Sequence, residues 1–270
     1  MPELPEVETI CRDLSSALVG QEVISARFLN MAIRESSSYK SANILKGKKL
    51  ERIERRGKNI LFHFSDGLVM ICHLKMTGRL IIGRNGLPQA RHLRFFIDFD
   101  RDRLNFFDVR KFGRICILKE NDLARHPRLG KLGPEPFEIL PAEFINQVKR
   151  RNRAIKLVLL DQEVIAGIGN IYADESLFLA GIRPTNKPSR ISGPRIERLL
   201  EAIIDVLQKA ISNRGTSVDD YLDGYGRTGN FQRLLRIYGK TGERCPNCGS
   251  MFKRIVLGGR STHYCPKCQK

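Results

Sequence analysis

No apolar run in this 270-residue sequence approaches the ~20 residues that a bilayer-spanning helix needs, which excludes an integral membrane protein of that kind. The opening residues, Met1-Pro2-Glu3-Leu4-Pro5-Glu6, contain no basic stretch followed by an apolar one. They offer no secretory signal, and a cytoplasmic address is the expectation. Acidic residues are scarce beside basic ones, 29 Asp and Glu against 47 Lys and Arg, for a net charge of +18. That excess predicts a polyanionic partner, with nucleic acid first and an anionic membrane surface second. No cluster of carboxylates or histidines has metal-ligand spacing, so a metal-dependent nuclease would lack its centre. Internal repeats and low-complexity tracts are also absent. At 41 % hydrophobic the chain is too apolar for disorder, and its length suits one or two domains.

What is present divides near residues 120–141. Before it, residues 5–19 read as a helix: Pro5 suits the first turn, Glu6 and Glu8 place negative charge there, and Val7, Ile10, Leu14 and Leu18 share a face. Gly20 is a natural stop. From about 22 to 118 short runs such as 60–64, 68–72, 95–99 and 115–118 are rich in β-branched and aromatic residues. Turn signals such as Asp66-Gly67 and Asn85-Gly86 punctuate them. Many short strands without intervening helices predict an antiparallel sandwich. Residues 120–141 carry Pro127, Gly130, Gly133-Pro134, Pro136 and Pro141, which cannot continue a helix or a central strand. Beyond them, helices are predicted over 142–160, 170–180 and 196–211. A Gly-rich polar segment, 213–243, reads as a long, partly mobile loop.

Of the seven cysteines, Cys11, Cys72 and Cys116 lie among apolar neighbours and read as buried small hydrophobes. The other four form Cys245-Pro-Asn-Cys248 and Cys265-Pro-Lys-Cys268, two C-x-x-C pairs separated by 16 residues. This is the spacing of a four-cysteine zinc site. A thioredoxin-like redox motif would need one such pair, and disulfides do not suit the compartment. Four thiolates fill the coordination sphere of one structural Zn²⁺ and leave no open catalytic position. The stretch between the pairs suggests a two-stranded ribbon with a basic tip at Gly258-Gly259-Arg260.

The dipeptide Met1-Pro2 carries a specific chemistry. Initiator methionine is normally removed before a small residue, which would leave Pro2 as a terminal secondary amine. An α-amino group titrates near ~7.7–8.0, so part of it is neutral and nucleophilic at physiological pH. With an aldehydic carbon a secondary amine forms an iminium, whose permanent charge withdraws electrons during β-elimination. Glu3 is adjacent and Glu6 one turn on, either of which can serve as a proton donor or hold the amine.

Several segments resemble the bacterial formamidopyrimidine-DNA glycosylases. They are Met1 to Thr9, Arg56-Gly-Lys58-Asn-Ile-Leu-Phe62, His73-Leu-Lys-Met76-Thr-Gly78 and Asp108-Val-Arg110-Lys-Phe112-Gly113. Leu132-Gly-Pro-Glu-Pro136, Leu160-Asp-Gln through Gly167-Ile-Gly-Asn170 to Glu175, and the terminal cysteine pairs continue the match in family order. The resemblance implies a base excision repair enzyme, a bifunctional glycosylase and abasic-site lyase. Such an enzyme removes 8-oxoguanine and formamidopyrimidines, then nicks by β,δ-elimination. The fold it implies is α+β in two domains. An N-terminal antiparallel β-sandwich with a flanking helix (1–130) precedes a helix–two-turn–helix domain (131–240) that ends in a β-hairpin zinc ribbon (241–270). The implied partner is double-stranded damaged DNA, bound by a monomer in the bacterial cytoplasm or nucleoid, with no catalytic metal and no organic cofactor.

Residue by residue, the resemblance makes Pro2 the Schiff-base nucleophile at C1′ and Glu3 the general acid at the sugar. Lys58 would contact phosphate and assist β-elimination, and Arg260 δ-elimination. Asn170 would bind phosphates beside the flipped nucleotide. Met76, Arg110 and Phe112 would fill the gap it leaves, since a glycosylase must take its target out of the stack. His92 and Arg153, the latter in the basic run 149–153, would add DNA contacts. Two features depart from the pattern: Ala90-Arg91-His92 stands where the family commonly has His-x-His, and Asn152 interrupts the basic run. Leu4 favours the purine-directed branch over the endonuclease VIII-like one. A non-catalytic zinc-ribbon DNA-binding protein would share the charge and the zinc but would not need Pro2, Glu3, Lys58 and Arg260.

Overall fold

The computed structural model describes residues 1–84, 90–218 and 221–270. Helix α1 (Leu4–Leu18) begins with Glu3 at its N-cap and Glu6 at its third position in a capping-box arrangement. It stops before Gly20, whose φ of 89° only glycine holds without strain. Its apolar stripe of Val7, Ile10, Leu14 and Leu18 is buried in the main core of the N-terminal unit.

Eight strands follow, in chain order β1 (Val23–Phe28), β2 (Leu50–Arg56), β3 (Asn59–Phe64), β4 (Leu68–His73), β5 (Gly78–Ile82), β6 (Leu93–Phe99), β7 (Arg103–Asp108) and β8 (Arg114–Lys119). They form two antiparallel four-stranded sheets, ordered β1-β6-β7-β5 and β2-β3-β4-β8. Phe62, Phe64 and Met70 of one sheet and Phe95, Phe99 and Phe106 of the other share the main core, which is the expected sandwich. Strands β3 and β4 are buried on both faces. Leu61, Val69 and Ile71 form a second cluster with Cys116 and Leu118, covered by Leu123 and Leu129. Double burial explains why these strands read as continuous apolar runs and do not alternate. Cys11, Cys72 and Cys116 are buried as expected. The Asn85-Gly86 turn signal lies outside the described residues.

The remaining elements are α2 (Pro141–Lys149), α3 (Ile155–Leu159), α4 (Asn170–Leu179), α5 (Gly193–Ser212), and a hairpin of β9 (Lys253–Leu257) with β10 (Arg260–Tyr264). The single helix expected over 142–160 is broken at 150–154. The Ile155 and Lys156 amides donate to the carbonyls of Asn186 (2.7 Å) and Pro184 (3.2 Å), which redirects the chain after its basic run. Among the described residues no helix is long and apolar enough to cross a membrane.

The chain separates into two compact units, Met1–Gly130 with Ile211–Gln232, and Lys131–Ala210 with Arg233–Lys270. The expected boundaries placed all of 131–240 in one domain; in the structure 211–232 returns to the N-terminal unit. The cause is chemical. Carboxylates of α1 accept backbone amides of this segment, Glu6 that of Thr216 (2.8 Å) and Asp13 that of Gly224 (3.1 Å). Its described residues are therefore a hydrogen-bonded loop docked on a helix, in place of the loose loop expected from composition.

Candidate active site

The head of α1 concentrates the residues expected to do chemistry. Pro2 is buried, and Glu3 and Glu6 are only 4 % and 2 % exposed. The Glu3 amide donates to Glu6 Oε2 (2.8 Å), while Glu6 Oε1 accepts from Thr216. One carboxylate thus fixes both the helix start and the 211–232 loop. Met1 is 38 % exposed, and while it remains attached the Pro2 nitrogen is an amide. Glu8 accepts from Arg55 Nε (3.0 Å), and Arg55 Nη1 donates to the Gly57 carbonyl (3.2 Å). These bonds tie the first turns of α1 to the β2–β3 turn that carries Lys58. Gly57 has φ 57°, the conformation a two-residue hairpin turn demands. Although burial pushes the Glu8 carboxyl up, Arg12 and Arg55 hold it below the usual range.

Lys58 is 6 % exposed, and the β3–β4 register sets the next residue, Asn59, opposite His73. His73 accepts from the Lys75 amide (3.0 Å) through Nδ1. Burial, then the charges of Lys75, Arg128 and Lys58, hold this imidazole well below its ordinary value. Burial and the charges of Arg128 and Arg114 also lower Lys75. Lys58, Lys75 and Arg128 thus all act on the one His73 imidazole. The sequence alone gives His73 and Lys75 no role.

Met76, Arg110 and Phe112 are exposed and lie together. The Arg110 guanidinium stands 4.5 Å over the Phe112 ring and donates to Met76 Sδ (3.4 Å). The two turns presenting them are held by Asp108, fully buried at the end of β7. Its Oδ1 accepts from Thr77 Oγ1 (2.5 Å) and the Arg110 amide (3.1 Å), and its Oδ2 from the Gly113 amide (2.7 Å). A Cβ at Gly78 or Gly113 would meet the Phe106 ring at 2.9 or 2.4 Å, so both glycines are required for close packing. Exposure settles what sequence left open: Met76 and Phe112 are not core residues. His92 accepts from Arg91 Nε (3.0 Å), and desolvation followed by the charges of Arg91 and Arg94 lowers its pKa. Arg153, half-exposed, is ion-paired with Asp161.

In the C-terminal unit, Gln162 organises the Gly167-Ile-Gly-Asn170 segment. Its side chain accepts the Gly167 amide (3.0 Å) and donates to the Ile168 carbonyl (2.9 Å). Asn170 then opens α4, and its Nδ2 donates to the Ser261 carbonyl (3.0 Å) in β10. This brings Asn170 beside the strand that begins with Arg260, which is exposed at the hairpin tip. Gly258 and Gly259 make that tip with φ 56° and 72°, and a Cβ at Gly258 would lie 2.6 Å from Leu157. Beneath it is a polar network that sequence reading missed. Lys156, fully buried, pairs with Asp174 (2.6 Å) and donates to Ser261 O (2.8 Å) and Thr262 Oγ1 (2.9 Å). Asp174 Oδ2 accepts from the His263 amide (2.9 Å) and stands 3.0 Å from its Nδ1. Only the single buried lysine in an otherwise apolar helix signalled it.

The ribbon's four sulfurs all lie within 4.8 Å of one another, with Cys245–Cys268 at 3.8 Å and Cys248–Cys265 at 3.5 Å. A tetrahedral ion with Zn–S of ~2.3 Å sets its ligands about 3.8 Å apart, so the cluster fits one structural zinc.

Two outcomes follow from these contacts. Because the folded pKa of His73 lies below its unfolded value, the unfolded chain binds the extra proton. Its contribution to stability is present above about pH 6.5 and declines as pH falls below that. Urea unfolding of wild type and His73→Gln across pH 5–7.5 reads this as a steeper loss in the wild type. Lys156→Ala leaves the buried Asp174 without its ammonium partner, with only His263 to bond it among the described residues. It should destabilise the hairpin by ~3–5 kcal/mol, seen as early thermal loss and faster amide exchange in β10 while α1 and β3 keep their protection.

Three families match the chain: the formamidopyrimidine-DNA glycosylase N-terminal domain over residues 1–115, its H2TH domain over 132–221, and the zinc finger found in FPG and IleRS over 242–270. A formamidopyrimidine-DNA glycosylase of Solibacter usitatus is 44 % identical over 271 residues, covering 100 % of both chains. One of Desulfitobacterium hafniense is 41 % identical over 277 residues with the same coverage. Among solved structures, a Lactococcus lactis Fpg variant in complex with Fapy-dG containing DNA has a TM-score of 0.92 at 36 % identity, covering 100 % of both chains. The Lactococcus lactis Fpg complex with abasic site containing DNA has 0.91 at 36 %, covering 99 % of each. The chain belongs to the formamidopyrimidine-DNA glycosylase family.

Proposed function

We propose that this protein excises oxidised purines, 8-oxoguanine and formamidopyrimidines, from double-stranded DNA and nicks the resulting abasic strand, acting as a monomer in the bacterial cytoplasm. One observation carries the reading. Pro2 and Glu3 lie buried at the head of a helix, in a full-length relative of glycosylases whose solved complexes hold lesion-bearing or abasic DNA.

Removal of Met1 converts the Pro2 amide into a secondary amine. Its lone pair attacks C1′ as the glycosidic bond breaks and the base departs with the bonding electrons. The attached nitrogen gives up its proton, which the departing base takes up; Glu3 delivers a second proton to the ring oxygen, the C1′–O bond breaks as the sugar opens, and the electron pair freed on nitrogen completes an iminium. That fixed charge draws electrons as the C2′ proton is lost and the 3′ phosphate leaves. A second elimination then frees the 5′ phosphate. Lys58 neutralises the phosphate beside the lesion and assists the first elimination; Arg260 assists the second. Asn170 and the amides at the start of α4 hold flanking phosphates. Met76 and Phe112 occupy the space vacated by the base, and Arg110 meets the orphaned partner base. His92, already engaged by Arg91, and Arg153, shared with Asp161, add weaker backbone contacts.

Borohydride should trap a covalent adduct between the wild type and an 8-oxoguanine duplex, at a mass showing loss of Met1. Substitution of Pro2, or retention of Met1, should remove most of it. DNA binding without any trapped adduct would leave a non-catalytic binder. Affinity for undamaged duplex should fall steeply as salt rises, because bound Lys and Arg release condensed counterions; a flat titration would argue against phosphate-dominated binding.

A further inference from the structure

The segment 211–232 meets α1 at two carboxylates seven residues apart, Glu6 and Asp13, which therefore share one helix face. At each meeting point the segment has a glycine. A Cβ at Gly215 would lie 2.8 Å from Glu6 Oε1, and one at Gly224 would lie 2.8 Å from Asp13 Cβ. The Glu6 contact belongs to the proposed catalytic head. The Asp13 contact has no part in the proposed chemistry, yet it is the more elaborate. Asp13 Oδ2 accepts from Arg214 Nη2 (2.6 Å) and the Gly224 amide. The same guanidinium pairs with Asp223, which is fully buried. Asp223 also accepts from the Tyr225 and Arg227 amides (2.9 Å each) and Arg227 Nε (3.2 Å). Arg214 holds φ 60°, a conformation that a non-glycine residue adopts only when its surroundings impose it. The Gly224 carbonyl in turn accepts the Ile82 amide at the end of β5 (2.9 Å).

We propose that Asp13, acting through Arg214 and Asp223, is a positioning residue for recognition of the damaged base. Glu6 accepts the amides of both Glu3, the residue after Pro2, and Thr216, so one carboxylate stands between the proposed nucleophile's neighbour and the wall formed by residues 216–218. A nucleotide whose C1′ is at that nitrogen presents its base to that wall, and an extruded base is read by the groups lining its pocket. The clamp sets the wall's distance from the helix. An abasic sugar has no base to read, so its chemistry does not need the clamp. This inference rests on the glycosylase reading above.

The test compares Asp13→Ala, Asp13→Glu and Arg214→Gly with the wild type on two duplexes, one carrying 8-oxoguanine and one a preformed abasic site. The Arg214→Gly variant removes the clamp while relieving the positive-φ strain, so it does not depend on Asp13→Ala folding well. At saturating DNA, Asp13→Ala and Arg214→Gly should each lower the excision rate by about tenfold or more, the scale of a small misplacement, while abasic nicking stays within about twofold. Asp13→Glu should recover much of the excision. The double variant should be no worse than either single, since both break one clamp. Excision and nicking that change in step, or excision that both variants leave intact, overturn the proposal. A wild type inert on both duplexes overturns the repair reading itself, and this inference with it.

Discussion

The N-terminal unit depends on one buried carboxylate. Glu6 is 2 % exposed, and its two oxygens are committed in opposite directions, to the Glu3 amide within its own helix and to the Thr216 amide more than two hundred residues later. A buried carboxylate is costly unless hydrogen-bonded to the charged form, and backbone amides are donors that cannot move away. The result is a rigid start for α1. Rigidity at this point matters because the proposed nucleophile has no side chain to aim: the nitrogen of Pro2 goes where the helix start puts it. Glu8 and Arg55 extend the same constraint to the turn bearing Lys58.

A comparable principle governs the C-terminal unit with different groups. The hairpin carrying Arg260 is short, and two strands alone are marginal in water. The four thiolates close one end of the ribbon. The other end is held by a buried ammonium whose three hydrogens meet Asp174, Ser261 and Thr262. Asp174 is shared with His263, so a strand, two helices and the cysteine cluster form one connected structure. In both units, buried charges paired to backbone groups position the residues that the proposed function uses, the head of α1 in one and the Arg260 tip in the other.

The architecture was legible where a residue type has one structural use. The C-x-x-C spacing, the Pro and Glu residues opening α1 and the Gly-rich hairpin tip each matched what the structure contains. Helix α2 ended early because the amides of Ile155 and Lys156 found carbonyl partners thirty residues away, a choice no local pattern encodes. The return of 211–232 to the N-terminal unit was equally hidden. Its glycines looked like loop punctuation, whereas two of them, Gly215 and Gly224, let backbone approach Glu6 and Asp13. Exposure of Met76 and Phe112 contradicted their apolar character taken alone, because Asp108 and Phe106 hold their turns outward.

By itself, the sequence determined the chemical inventory: a proline at position 2 beside a carboxylic acid, four cysteines at zinc spacing, and an excess of cationic side chains. These follow from covalent identity and short-range spacing, which folding does not alter. Tertiary structure decided which charges are silent and which are presented. Lys156 and Arg153 are drawn into ion pairs, burial and then neighbouring cations hold His73 well below its ordinary pKa, and Arg110 is stacked on Phe112 at the surface. The reason is that desolvation and Coulomb interaction act through space, between groups that only the folded chain brings within a few ångströms of one another.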